Sequence, residues 1–137
     1  NIYALAVATN PEEAVWVDEL ATLSPRIMPI YGLHPWYADR YLLSEMTAYL
    51  EKTPILGEIG MDSTWCSVDL DCQRRIFIEQ LELAEERGCP VMLHTKGQEK
   101  EIAHMIHTYT MPVIVIPPWI IWINTWKEIA FLPLVRM

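Results

Sequence analysis

The sequence predicts an α/β fold in which about five parallel strands alternate with helices to build part of a (β/α) barrel of the TIM type. Three observations predict it. Five short apolar runs alternate with four segments of helical periodicity, the order that βαβ units leave in a sequence. Three blocks, Tyr31-Gly32-Leu33-His34-Pro35-Trp36, Leu56-Gly57-Glu58-Ile59-Gly60-Met61-Asp62 and Pro90-Val91-Met92-Leu93-His94, are apolar runs that lead into a His or a Glu. A barrel presents its reactive side chains at the carboxyl ends of successive strands in this way. The length, 137 residues, allows a real core, yet falls short of the roughly 250 residues of a whole eight-stranded barrel.

Residues 2–8 form a continuous apolar run, as for a strand buried on both faces. Thr9-Asn10-Pro11 closes it, with Asn10 as a helix cap and Pro11 in the first turn, where a missing N–H costs nothing. Ala14, Val15, Val17, Leu20, Ala21 and Leu23 then fall at helical spacing. The second strand is read over residues 26–31. A helix over 42–52 follows, with Leu43, Met46, Thr47 and Leu50 along it, and the third strand is read over 54–59. The longest helix spans 69–87. It is acidic at its start, carries Ile76, Phe77, Leu81 and Ala84 on one side, and stops at Gly88 before Pro90. Residues 91–94 give a fourth strand, 99–109 another helix and 113–116 a fifth strand.

Hydrophobic residues make up 52% of the chain, which argues against disorder. Eighteen acidic against ten basic side chains give a formal charge of −8. That is the wrong sign for capture of nucleic acid by a basic surface, so any chemistry on such a substrate has to come from a metal site. Cys66, Cys72 and Cys89 are odd in number and include no Cys-x-x-Cys pair, so they read as buried or half-buried thiols. No charged-then-apolar leader opens the sequence. The apolar stretch 111–123 is shorter than the roughly 18 residues of a spanning helix, and Pro117-Pro118 interrupts it. A cytoplasmic protein with no membrane segment is expected.

The three blocks, in this order and wording, resemble the TatD-related metal-dependent deoxyribonucleases of the amidohydrolase-like barrels. The resemblance runs from about Ile2 to about Val115 and includes the helix around Gln73, Phe77 and Gln80, where the family carries Gln, Phe and Gln at this spacing. It implies a metallo-dependent hydrolase type of barrel over residues 1–116. It also implies a divalent metal ion of the Zn, Mg or Mn class, and DNA or another phosphodiester as the substrate of the intact family member.

Glu58 ends a buried apolar strand, where a carboxylate is costly unless it meets a cation or a strong donor. On pattern alone it could equally end in solvent; the resemblance makes it a metal ligand and the catalytic carboxylate. His94 ends Val91-Met92-Leu93, and a neutral imidazole there either ligates a metal or is satisfied by the fold. The resemblance makes it a ligand. His34 precedes Pro35, which holds it extended, and the resemblance places it at the site mouth in contact with substrate rather than metal. A hydrogen bond to loop backbone is its other reading. Lys96 stands where many family members have Arg, which implies a point charge for a substrate phosphate. Asp62 is read as bracing the following loop, Trp36 and Tyr37 as rim aromatics that stack on a base or cover the barrel top, and His104 and His107 as surface or packing residues.

The family's amino-terminal His-x-His, its later His and its final Asp have no counterpart in the sequence, so the chain looks like the middle of such an enzyme and is expected to be catalytically incomplete. Residues 117–137 read as a hydrophobic tail without period or cap. A shift of reading frame accounts for it. With permitted codons, residues 120–137 back-translate to a message that, read one base earlier, encodes DYLDKYMERNCIFTIGPD, similar to the family's next helix and strand. Two alternatives remain: a non-catalytic fragment acting through strand-edge or subunit association, and a barrel hydrolase of ester, lactone or amide substrates.

Overall fold

A computed structural model describes residues 3–115 of the chain. Five strands, β1 (Ala4–Ala8), β2 (Ile27–Tyr31), β3 (Leu56–Asp62), β4 (Val91–Lys96) and β5 (Val113–Val115), form one parallel sheet in the order β1-β2-β3-β4-β5. Each crossover therefore steps one place in the same direction. Because such crossovers are right-handed, the helices fall on one face. A doubly wound sheet reverses its order partway and covers both faces. The sequential order is that of a (β/α) barrel, and among the described residues five strands of it are present.

The helix α1 (Pro11–Thr22) starts as its sequence dictates: the Asn10 side chain accepts the Glu13 N–H at 3.0 Å, with Pro11 in the first turn. The long helix α3 (Leu70–Arg87) is capped by Asp69, whose carboxylate accepts the N–H groups of Asp71 and Cys72. It ends at Gly88 in the left-handed conformation. Its inner side buries Ile76, Phe77, Leu81 and Ala84 in one cluster with Leu56, Ile59, Met61, Val91 and Leu93 of the sheet. Full burial of Phe77 or Leu81 contributes roughly 1.5 to 3 kcal/mol each. The helix α4 (Glu99–Ile106) packs on β4 and buries Ile102.

Several elements differ from the sequence reading, and the helix read over 99–109 ends at Ile106. The helix expected over 42–52 is a 3₁₀ turn (Leu43–Met46) running into a single α turn, α2 (Thr47–Leu50). Local side chains explain the break: Glu45 reaches back to the Leu42 N–H at 2.7 Å and the Thr47 hydroxyl bonds the Ser44 carbonyl at 3.0 Å. The first caps a helical start at Leu42, and the second competes with the regular helix bond of the Ser44 carbonyl. The strand expected over 54–59 instead runs from Leu56 to Asp62, so Glu58 lies inside the strand and not at its end. Pairing with β4 carries it on, from Ile59↔Leu93 to Asp62↔Lys96, after a register shift between Leu56 and Ile59. By the same pairing β4 extends past His94 to Lys96. The end of the fifth strand at Ile116 and the tail 117–137 lie outside the described residues.

Two buried glutamines of α3 fasten the strand ends that carry the site. Gln80, fully buried, accepts the Leu33 N–H at 2.8 Å and donates to the Leu33 carbonyl at 3.0 Å. Gln73 does the same for Asp62, at 2.8 and 3.1 Å. A buried backbone group that loses its partner costs roughly 1 to 3 kcal/mol. Gln80→Leu strands two at once, so we expect it to cost about 2 to 4 kcal/mol in urea unfolding; a loss below about 1 kcal/mol would show that the helix does not hold this segment.

Candidate metal centre

Three side chains meet on one face of the sheet, one from the residues after β2, one from within β3 and one from within β4. Their ligand atoms, on His34, Glu58 and His94, lie within 4.8 Å of one another. Each is set by the local fold. His94 alternates with Val91 and Leu93, which face the helices, so it points to the opposite face of the sheet. Glu58 meets it from the neighbouring strand, with Oε1 3.3 Å from His94 Nδ1. His34 follows β2; its N–H donates to the Thr9 carbonyl at 2.9 Å, and it caps the 3₁₀ turn Pro35–Tyr37. Its Nε2 is 4.0 Å from Glu58 Oε2, and its ring lies 4.4 Å from that of His94, edge on. The sequence reading placed His34 farther out, at the mouth. Here it is 6% exposed and within the cluster.

Asp62 sits behind the cluster and has more partners than loop bracing alone requires. Its Oδ1 accepts the N–H groups of Thr64 and Trp65, both at 2.8 Å, which braces the loop as expected. Its Oδ2 accepts the Trp36 indole N–H at 2.9 Å and faces His94 Nε2 at 3.0 Å. Burial raises the carboxyl's pKa, but the Trp65 amide, the Trp36 indole, His94 and the Thr64 amide together outweigh it and hold Asp62 at about 2. Asp62 is thus ionised across the physiological range and stabilises the fold above the ordinary carboxyl value of 3.8. That contribution is lost as pH falls toward about 2. We expect the stability gap between the parent and Asp62→Asn, read from urea midpoints, to be wide at neutral pH and to close below about pH 4. A gap that does not change with pH would contradict the assignment.

An ionised Asp62 fixes the proton on His94. Nε2 faces Asp62 and Nδ1 faces the Glu58 carboxylate; a protonated ring donates to both, and a neutral ring with its hydrogen on Nε2 leaves the Nδ1 lone pair toward Glu58. Two acceptors at this distance require a cation between them, either a proton or a metal ion. Burial disfavours the charged imidazole, but hydrogen bonds and charge from Glu58 and Asp62 raise the His94 pKa above its ordinary 6.5. The spacing also suits a metal: two donors each roughly 2.1 Å from one ion stand about this far apart at a near-tetrahedral angle. A carboxylate behind a ligating imidazole is a common orienting arrangement for metal sites. The donor set therefore fits a divalent ion.

His34 is different. Its Nδ1 accepts the Trp36 N–H at 3.3 Å, so the neutral ring carries its hydrogen on Nε2 and presents a donor toward Glu58. Burial, with His94 beside it, pushes His34 down to about 3, so the ring is neutral. Lys96 lies at the end of β4 with its Nζ 4.1 Å from the centroid of the Trp65 ring. Trp36 is exposed at the rim, although its indole N–H is held by Asp62. His104 and His107 are exposed and take no part in the cluster. The three cysteines are free, Cys89 buried and the other two half-buried. Sequence reading had no signal for Trp65, which sits in an aperiodic loop.

Comparison with known proteins gives a consistent result. The family model described as TatD related DNase matches residues 2–116. The chain is 28% identical over 123 residues to the uncharacterized metal-dependent hydrolase TatD of Mycobacterium tuberculosis, covering 82% of this chain and 46% of that protein. It is 30% identical over 114 residues to the putative deoxyribonuclease tatdn3 of Danio rerio, covering 70% of this chain and 42% of that one. The crystal structure of YjjV, a TatD homolog from Escherichia coli, superposes with a TM-score of 0.69 at 27% identity, covering 76% of this chain and 43% of that one. The chain thus spans less than half the length of these relatives. Among the described residues no helix is long and apolar enough to cross a membrane. With the sequential parallel sheet and the family model matching from residue 2 to residue 116, the chain belongs to the TatD-related DNase family.

Proposed function

We propose that the cluster binds a divalent ion of the Zn, Mg or Mn class and serves the hydrolysis of phosphodiester bonds in DNA. The observation that carries this reading is the approach of His94 Nδ1 to Glu58 Oε1 at 3.3 Å, with the Asp62 carboxylate 3.0 Å from the far ring nitrogen. A bound divalent ion supplies Lewis acidity at a phosphoryl oxygen and lowers the pKa of water. Glu58 and His94 are the ligands, and Glu58 is also the catalytic carboxylate, able to take a proton on the oxygen that faces His34. His34 stays neutral and offers its Nε2–H to a substrate oxygen. Lys96 supplies a positive charge for a flanking phosphate. A cytoplasmic setting, where free thiols stay reduced, goes with this reading.

All three clustered side chains come from β2, β3 and β4 or the residues just after them, one arc of the site. A hydrolytic ion normally takes three protein ligands and keeps an open position, and here His34 is turned as a donor. This chain should therefore hydrolyse DNA far more slowly than a full-length relative. Calorimetric titration with Mn²⁺, followed by cleavage of labelled single-stranded DNA beside the Escherichia coli homolog, tests both parts. Binding with little cleavage is expected. Absence of Mn²⁺ binding would contradict the site, and cleavage matching the homolog would contradict the incompleteness. Because a proton and the ion compete for the same gap, affinity should fall as pH drops through the raised His94 value.

A further inference from the structure

One residue reaches both imidazoles of the cluster. Trp36 lies in the 3₁₀ turn that His34 caps, and its main-chain N–H donates to His34 Nδ1 at 3.3 Å. Its indole N–H crosses to β3 and donates to Asp62 Oδ2 at 2.9 Å, the oxygen that faces His94 Nε2 at 3.0 Å. The His34 ring meets the indole edge on, with centroids 5.4 Å apart, and meets the His94 ring at 4.4 Å. A carboxylate offers about four acceptor positions. Asp62, whose side chain is fully buried, fills them with the Thr64 and Trp65 amides, the Trp36 indole and His94. Of these donors only the indole comes from the segment that also carries His34.

We propose that Trp36 is a positioning residue for the metal centre: through Asp62 its indole N–H fixes the direction of the His94 ring, and its main-chain N–H fixes that of His34. The proposal rests on the reading of the cluster as a metal-dependent hydrolytic centre and adds the residue that joins its two imidazoles. An indole that stacked on a base would use only its ring face. Here the nitrogen gives its one hydrogen to Asp62, inside the cluster. Without that hydrogen an acceptor position of a buried carboxylate stands empty, which is costly, so Oδ2 turns to recover a donor and the His94 ring follows it. An orienting partner behind a ligating imidazole is worth about ten- to a hundredfold in metal affinity. Trp36 acts one step farther out and should be worth about the lower figure. The two donors on Oδ2 also compete: with its Nδ1 lone pair engaged, the His94 ring becomes a stronger donor from Nε2, and the indole bond to the same oxygen weakens.

Trp36→Phe keeps a ring against His34 and removes the indole N–H. Calorimetric titration with Zn²⁺ should show about tenfold weaker binding than in the parent. Added to Asp62→Asn, the same substitution should cause no further loss, because its effect passes through the carboxylate. In nitrogen-correlated proton spectra of the metal-free proteins, the His94 Nε2–H signal should persist in the parent and broaden into solvent exchange in Trp36→Phe. In the parent the Trp36 indole N–H signal should move toward the value of an unbonded indole as Zn²⁺ binds, a measurement that needs no variant to fold. Equal or tighter Zn²⁺ binding by Trp36→Phe, or an indole signal that stays in place while Zn²⁺ binds the parent, would overturn the proposal. The metal-free spectra keep the two readings apart. Loss of the His94 signal in Trp36→Phe with no Zn²⁺ binding by the parent sinks the metal centre and leaves the positioning role, whereas Zn²⁺ binding with the His94 signal unchanged in the variant sinks the positioning role alone.

Discussion

Glu58→Gln should lower divalent-ion affinity by about a hundredfold or more, since even partners one step removed from a metal are worth ten- to a hundredfold. The substitution keeps the shape and removes the charge. Glu58 is 2% exposed and has only two imidazoles against its oxygens, so its carboxylate is desolvated with little compensation while no ion is bound. The metal-free variant should therefore be at least as stable as the parent, as expected for a side chain kept for function rather than for folding. Urea unfolding in chelator and calorimetric titration with Mn²⁺ read the two quantities separately. A variant that unfolds early in chelator but still binds Mn²⁺ would make Glu58 a structural residue.

Gly60→Ala should cost at least about 3 kcal/mol and could prevent folding altogether. A Cβ at this position would lie 2.0 Å from the His94 carbonyl oxygen, and the backbone has φ +149°, which side chains other than glycine's rarely adopt. Relief of that contact requires β3 and β4 to part where Gly60↔His94 are register partners, so the cluster would open with the sheet. Gly88→Ala is the control. It too has positive φ, +61°, but nothing lies within 4 Å of its Cβ position, so only the conformational cost of about 1 kcal/mol applies. Equal losses in the two variants would mean that the close strand contact at Gly60 is not limiting.

Much of this architecture is legible in the residues because burial imposes a period. The helical spacing in α1 and α3, the Asn10 cap and the Gly88 stop are all local signals, and all appear where they are read; Asp69, read as the first helical residue, is the cap of α3. What the sequence does not reveal depends on partners distant in the chain. Gly60 and Asp62 look like breakers after Ile59, yet the pairing with β4 extends the strand through them. The region 42–52 has apolar residues at helical spacing, but Glu45 and Thr47 spend their side chains on nearby backbone and divide it. Asp62 is recognisable as a loop brace from its position alone. Its grip on His94, a residue 32 positions later, depends on register. His34 reads as a mouth residue because the family resemblance places it there, and it is the Trp36 amide on Nδ1 that fixes which nitrogen faces Glu58.

The imidazole nitrogens themselves report most directly on the central claim, that Glu58 and the Nδ1 atom of His94 share one ion while Asp62 holds the other nitrogen. Two-bond ¹H–¹⁵N correlation spectra of the four histidines, recorded with and without Zn²⁺, distinguish protonated, free and metal-bound ring nitrogens. The account predicts that Zn²⁺ moves His94 Nδ1 to the metal-bound range while its Nε2 stays protonated. His34 should keep its Nε2–H form, and His104 and His107 should not change. Zn²⁺ that leaves both His94 nitrogens where they were, or that binds His104 and His107 instead, would contradict it.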